Sequence, residues 1–338
     1  MKPVLTISIA AYNVEKYINK TLDSLTVDAL NGKIEVLIVD DGSKDRTSAI
    51  AKRYEEIYPN IFKLISKKNG GYGSTINTGT RYAHGKYFKQ LDGDDWFEKE
   101  NLESFVTHLG NVDADYILTD YLEVYEDETD RKELVSVKNM KPYKEYAFSE
   151  FDQENDLAMH ALTVKTEILK NNQIIIDEHC FYTDVEYDLY PLPYVEKLLY
   201  IPMAIYCYRL GRTGQSMELK SSVRNYRDHE RVCHSLLDFL DQRNDWDSIA
   251  DGIYKKAYIE KRLKEMVKRQ YFLYVLKKYD AKVKGEYLAF DSFVMKHRQE
   301  WGTCVKKEFS IKLSLASGGI FYPAVCVVNN IRFAKKLK

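Results

Sequence analysis

Residues 34–39, IEVLIV, form an almost continuous β-branched run that stops abruptly at Asp40-Asp41-Gly42-Ser43. A strand with no polar face cannot sit at a solvated surface, so it points to a central parallel strand covered on both sides. Its neighbours fit that placement. Residues 3–10 carry Val4, Leu5, Ile7 and Ile9, read as a first buried strand, and end at Ala10-Ala11-Tyr12-Asn13. Val14, Tyr17, Ile18, Leu22 and Leu25 then recur at helical spacing behind Asn13, a suitable N-cap. Helical periodicity runs from Asp45 to about Tyr58 and ends at Pro59, and residues 61–65 make a third short strand. Strand, helix, strand, helix, strand in this order predicts an α/β fold with a mostly parallel sheet flanked by helices.

Further along, Lys67-Lys68-Asn69-Gly70-Gly71-Tyr72-Gly73 is a glycine-rich turn with two lysines, followed by a helix over 74–83. Glycine lets backbone N–H groups approach a phosphate closely, although loops also need glycine for steric reasons alone. A strand over 86–91 follows, then another over 115–125. Residues 126–146 read as a loop or hairpin insertion, 151–171 as mostly helical and 198–208 as a strand. From Ser222 onward, 222–243 and 247–278 read as long amphipathic helices. The domains expected are therefore 1–218, with a first half of about 1–97 and a second of about 98–218, and a helical region 219–338.

A formal charge of −1 argues against nucleic acid as a partner. Five scattered cysteines form no Cys-x-x-Cys pair, so a zinc site or disulfide framework is not indicated and a reducing, cytoplasmic setting is expected. The N-terminus does not read as a signal peptide, and no run reaches the roughly 18 apolar residues of a membrane-spanning helix. The tail 311–338 joins an apolar patch to a basic end. It reads either as a helix packed on the protein or as an element lying on an anionic membrane at its inner face.

The chemistry concentrates where the strand KYFKQL meets Asp92-Gly93-Asp94-Asp95. Three carboxylates in four positions repel unless solvent, protonation or a cation intervenes. Two readings stand: a polar turn after a strand, or an oxygen-rich site for Mg²⁺ or Mn²⁺. Residues 183–190 place Asp184, Glu186 and Asp188 among aromatics. They read first as an acidic helix start that suits its own dipole, and second as the source of a general base. Arg209 and Arg212 sit in a glycine-containing loop and suit either phosphate oxygens or solvent. In a parallel sheet the turns 11–13, 40–43 and 92–95 share one edge, an arrangement that suits a nucleoside diphosphate and a divalent cation.

ISIAAYNVEKYINKTLDSL, IEVLIVDDGSKDRT, NGGYGSTINTGTRYAHGKYFKQLDGDDW and FYTDVEYDLYPLP together resemble a family 2 glycosyltransferase of the GT-A fold over about the first 200 residues. The resemblance implies an inverting transferase that moves a sugar from a nucleotide sugar, a UDP-sugar by family habit, to an acceptor hydroxyl. A glycan or lipid-linked saccharide of the cell surface is the acceptor implied. Ala11, Tyr12, Asn13 and Asp41 match positions lining base and ribose, with Asp40 beside them. Lys68 and Gly71 match the loop near base and diphosphate. Asp92 and Asp94 match the Asp-X-Asp signature for ribose and metal-bound diphosphate, and Asp94 with Asp95 are the expected metal ligands. Asp184 matches the catalytic base, although Thr183 stands where the family often has Glu. Arg209 and Arg212 match the loop that closes over the diphosphate. Two alternatives remain, a metal-dependent sugar nucleotidyltransferase and a non-catalytic glycan-binding protein on a transferase scaffold. A dehydrogenase is disfavoured because no G-x-G-x-x-G follows the first strand.

Overall fold

The computed structural model describes residues 2–126, 131–211, 215 and 218–337. The chain divides into two units, Met1–Arg212 with Arg243–Lys256, and Thr213–Gln242 with Ala257–Lys338.

In the first unit the three apolar runs become β1 (Leu5–Ala11), β2 (Ile34–Asp40) and β3 (Phe62–Ser66), joined by α1 (Ile18–Asp23) and α2 (Thr47–Ile57). Leu5, Ile7 and Ile9 are fully buried, and so are Thr6 and Ser8 on the alternate face of β1. Both faces are therefore covered, as the composition of these strands requires. α3 (Tyr72–Tyr82) leads to β4 (Tyr87–Asp92). It approaches β1 closely at Gly79, where a Cβ would stand 2.1 Å from Ser8 Oγ. The order β3-β2-β1-β4 is parallel throughout. Its register sets Ala11 beside Asp40 and Ala10 beside Asp92. The turns after β1, β2 and β4 thus leave the sheet abreast at its carboxyl edge, where open α/β sheets bind ligands.

Past β4 the sheet becomes mixed. The elements are β5 (Trp96–Phe97), α4 (Lys99–Asn111), β6 (Tyr116–Tyr125), β7 (Lys132–Val135), β8 (Glu145–Tyr146), β9 (Leu162–Lys165), α5 (Thr166–Asn171), α6 (Asp184–Leu189) and β10 (Leu198–Leu210). β9 runs antiparallel between β4 and β6, β10 lies parallel to β6, and β5 pairs antiparallel with β10. The helix expected over 151–171 is corrected here. Only Thr166–Asn171 is α-helical, and Leu162–Lys165 is a strand. Its β-branched Thr163 and Val164 fill the gap between two strands distant in sequence, which local periodicity does not register. Within 126–146, β7 folds back on β6 as a hairpin and β8 joins β10. The register of β10 against β6 shifts between Ile201 and Tyr206. Pro202, which lacks an N–H for the ladder, lies in that stretch.

The second unit is helical: α7 (Leu219–Arg224), α8 (Tyr226–Gln242), α9 (Gly252–Leu276, from Ala257), α10 (Ala281–His297), α11 (Gln299–Val305), α12 (Phe309–Gly319), α13 (Tyr322–Arg332) and α14 (Ala334–Leu337). Its core is aromatic. Tyr287 stacks on Tyr322 at 5.0 Å, and Tyr271 and Tyr274 pack on Tyr287 and Phe290. The buried phenols find partners, as burial demands: Tyr271 donates to Asp291 at 2.8 Å and Tyr274 to Glu230 at 2.6 Å. Among the described residues no helix is long and apolar enough to cross a membrane.

Candidate active site

Asp41 is 2% exposed and holds the glycine loop from within. Its Oδ1 accepts from Lys67 Nζ at 2.7 Å and Gly70 N at 2.8 Å, and its Oδ2 from Gly71 N at 2.9 Å and Asn69 Nδ2 at 3.0 Å. A carboxylate so fully accepted is a fixed anchor. Gly71 takes φ +80, and a Cβ there would meet the backbone of His179 at 3.0 Å, so glycine is required. The turn after β1 is tied in as well. Asn13 N donates to Ser43 Oγ at 3.0 Å, Asn13 Oδ1 accepts from Lys44 N at 2.7 Å, and Ser43 N donates to Asp40 Oδ1 at 3.0 Å. Ala11 is buried, Tyr12 is exposed, and Lys68 is exposed with its carbonyl accepting from Lys67 Nζ.

The three aspartates of the β4–β5 turn occupy different surroundings. Asp92 and Asp94 are half-buried, whereas Asp95 is 1% exposed. Asp95 Oδ2 accepts from Tyr206 OH at 2.7 Å and its Oδ1 from Arg209 N at 2.8 Å. Burial, then the charges of Asp92 and Asp94, push its carboxyl well above the ordinary 3.8. Thr21 Oγ1 holds the same turn from α1, donating to the carbonyls of Gly93 and Asp95 at 3.0 and 2.6 Å. Asp92 Oδ1 accepts from Tyr72 OH at 2.7 Å. Arg209 is also drawn to this turn. Its Nε donates to the Asp94 carbonyl at 2.6 Å, its guanidinium pairs with Glu126, and it lies 4.9 Å from the ring centroids of Tyr17 and Trp96. At 4% exposure it braces the aspartate turn from a buried position. Arg212 lies outside the described residues.

Asp184 opens α6 and is half-buried, with Glu186 and Asp188 buried behind it. The segment before it is fastened to α3 and the glycine loop. Asn77 of α3 exchanges two hydrogen bonds with Ile176, at 2.8 and 2.9 Å, and His179 N donates to the Gly70 carbonyl. Glu186 Oε2 accepts from Asp177 N at 2.7 Å, which locks α6 to that segment. The charges of both acidic clusters reach two tyrosines. Burial first, and then the charges of Asp92, Asp184 and Asp95, push the Tyr72 phenol well up. Tyr208 is raised by burial and by Asp92, Asp95, Asp184 and Asp94. His160 stacks on Tyr208 at 4.1 Å, and burial lowers its pKa to about 3, so it is a neutral wall.

The sequence reading missed Tyr72, His160, Tyr206 and Tyr208. The alternation in IYCYRL could have paired 206 with 208 on one face, but nothing local joins His160 to them. Among the described residues no three His, Cys, Asp or Glu side chains form a ready metal cage.

The profile of Glycosyl transferase family 2 matches residues 6–172. The putative glycosyltransferase EpsH of Bacillus subtilis is 34% identical over 125 residues, 37% of this chain and 36% of EpsH. The minor teichoic acid biosynthesis protein GgaB of the same organism is 27% identical over 241 residues, 68% of this chain and 26% of GgaB. This chain thus matches well under half the length of either relative. In fold it is similar to S. aureus TarS 1-349 in complex with UDP-GlcNAc, with a TM-score of 0.65 at 18% identity, covering 99% of this chain and 92% of that one.

Proposed function

We propose that the chain is a family 2 glycosyltransferase, the family whose profile matches residues 6–172, and that it is an inverting transferase moving a sugar from a nucleoside-diphosphate sugar to an acceptor hydroxyl. The observation that carries this is that Asp92 and Asp94 at the end of β4 and Asp184 at the start of α6 act on the same two phenols, the charges of both groups reaching Tyr208 and those of Asp92 and Asp184 reaching Tyr72. The Asp41-held loop and the turns at 11–13 and 40–43 hold the nucleotide. Uridine is the base we favour, on the fold shared with TarS in complex with UDP-GlcNAc. The acceptor is a cell-surface saccharide, a reading supported by the likeness to a teichoic acid biosynthesis protein. It is met at the inner face of the membrane as a lipid-linked chain, through the C-terminal helices.

Asp184, as a carboxylate, takes the proton of the acceptor hydroxyl while that oxygen attacks the anomeric carbon opposite the leaving diphosphate. One displacement inverts the configuration. Asp92 and Asp94 suit Mn²⁺ or Mg²⁺, which take one or two carboxylates and complete their shell with substrate phosphates. Held there, such an ion would supply positive charge against the diphosphate. Asp95 and Arg209 position the turn that presents those two side chains, and Arg212 is proposed to reach the diphosphate.

An Asp184→Asn variant is expected to lose transfer rate by roughly 10²- to 10⁴-fold, with unchanged thermal stabilisation by donor. Wild-type turnover with normal donor binding would remove Asp184 from the role of base.

A further inference from the structure

We propose that the helical unit carries a binding site for the anionic headgroups of membrane phospholipids, built from Lys220, Arg224, Arg227, Lys277, Lys278 and Lys282. The inference rests on the membrane location proposed above, but not on the transfer chemistry. These six cations come from α7, the start of α8, the turn after α9 and the start of α10, and they line one cavity of about 650 Å³. Asp280 is the acidic side chain in the lining. Its carboxylate is already committed, accepting from Lys282 N at 2.8 Å and Val283 N at 3.2 Å to cap α10. Glu286 offsets one charge through its pair with Arg227 at 2.9 Å. The positive field is still felt inside the cluster. The Lys277 ammonium is lowered by burial and then by the charge of Arg227, against the opposing pull of Glu286.

Apolar surface lies beside the cavity. Lys278 and Asn330 also line an adjoining apolar hollow with Tyr279, Cys326, Val327 and Ile331. Along α13, Val327, Val328 and Ile331 are 56%, 62% and 72% exposed. Asn330 fixes the two regions together, its Nδ2 donating to the carbonyls of Leu276 and Lys277, each at 3.1 Å. Cations flanked by outward aliphatic side chains match the headgroup–acyl boundary of an anionic bilayer. A soluble polyanion such as a phosphate-bearing glycan would use the cations and leave α13 in water. The apolar face therefore decides for the membrane.

The test is flotation of the full chain with phosphatidylcholine vesicles and with vesicles of phosphatidylcholine and phosphatidylglycerol in roughly a two-to-one ratio. Binding is expected on the anionic vesicles only. The double variant Lys278→Glu with Lys282→Glu should weaken it by at least about fivefold for each charge removed. Val328→Ser with Ile331→Ser should also weaken it, most visibly at high salt, where the electrostatic part is screened. Donor-induced thermal stabilisation is measured on every variant and should be unchanged, which shows the first unit folded. Equal flotation on both vesicle types overturns the proposal, as does unchanged binding in the charge variant. Full binding in the apolar variant, displaced by soluble polyphosphate, overturns it in favour of a polyanion site. A chain that floats as expected but transfers no sugar refutes the proposed reaction and leaves this site standing.

Discussion

Three adjacent aspartates carry three different environments. Asp95 is closed in by Tyr206 and the Arg209 backbone, whereas Asp92 and Asp94 remain half-buried, with Asp92 steered by Tyr72. Metal binding and turn positioning should therefore separate by mutation. Asp94→Asn is expected to abolish the Mn²⁺-dependent part of donor stabilisation with little change in the melting temperature of the free protein. Asp95→Asn leaves one of two buried donors poorly matched and should cost about 1–3 kcal/mol of stability, with the Mn²⁺ dependence kept. Thermal melts with donor, with and without Mn²⁺, read both effects, and the opposite pattern would return Asp95 to the metal.

At the scale of elements, β4 does two jobs. Its end presents Asp92, and its interior holds a charge: Lys89 is fully buried and its ammonium donates to the carbonyls of His160 and Leu162, both at 3.0 Å. It thereby ties β4 to the start of β9 and to the segment carrying His160. Burial lowers its pKa to about 7 from the ordinary 10.5, partly opposed by the Asp188 charge. Between those two values the unfolded chain binds more protons than the folded one, so stability rises with pH across that window. Urea unfolding from pH 7 to 10.5 should show this rise, and Lys89→Met should flatten it. An identical slope in the variant would mean that other groups govern that window.

At the scale of the molecule, the two units are not consecutive in sequence. Arg243–Lys256 returns to the first unit, where Arg243 Nη2 donates to Tyr194 OH at 2.7 Å, Asp251 accepts from Ser149 N at 3.2 Å, and Trp246 is 4% exposed. A chain ended after residue 212 lacks this segment. Its donor-dependent melting transition is expected below that of the full protein. Equal transitions would show that the segment adds nothing to the first unit.

How much of this was legible beforehand follows from the range of the interactions. IEVLIV, the polar turns after successive strands and the glycine loop express local composition, and they were enough for the parallel half of the sheet and for the edge that bears Asp40, Asp41, Asp92 and Asp94. A continuous apolar strand has few places to go, so those residues constrain the fold by themselves. β9 reads locally as helix because its partners, β4 and β6, lie far off in the chain. For the same reason the closing-in of Asp95 by β10, the reach of both acidic groups' charges to Tyr72 and Tyr208, and the gathering of six cations beside α13 are absent from any local pattern. Composition and spacing determined which chemistry the chain carries. Burial and long-range pairing, which exist only once the chain is folded, decided which carboxylate is buried as a brace and which face the open site.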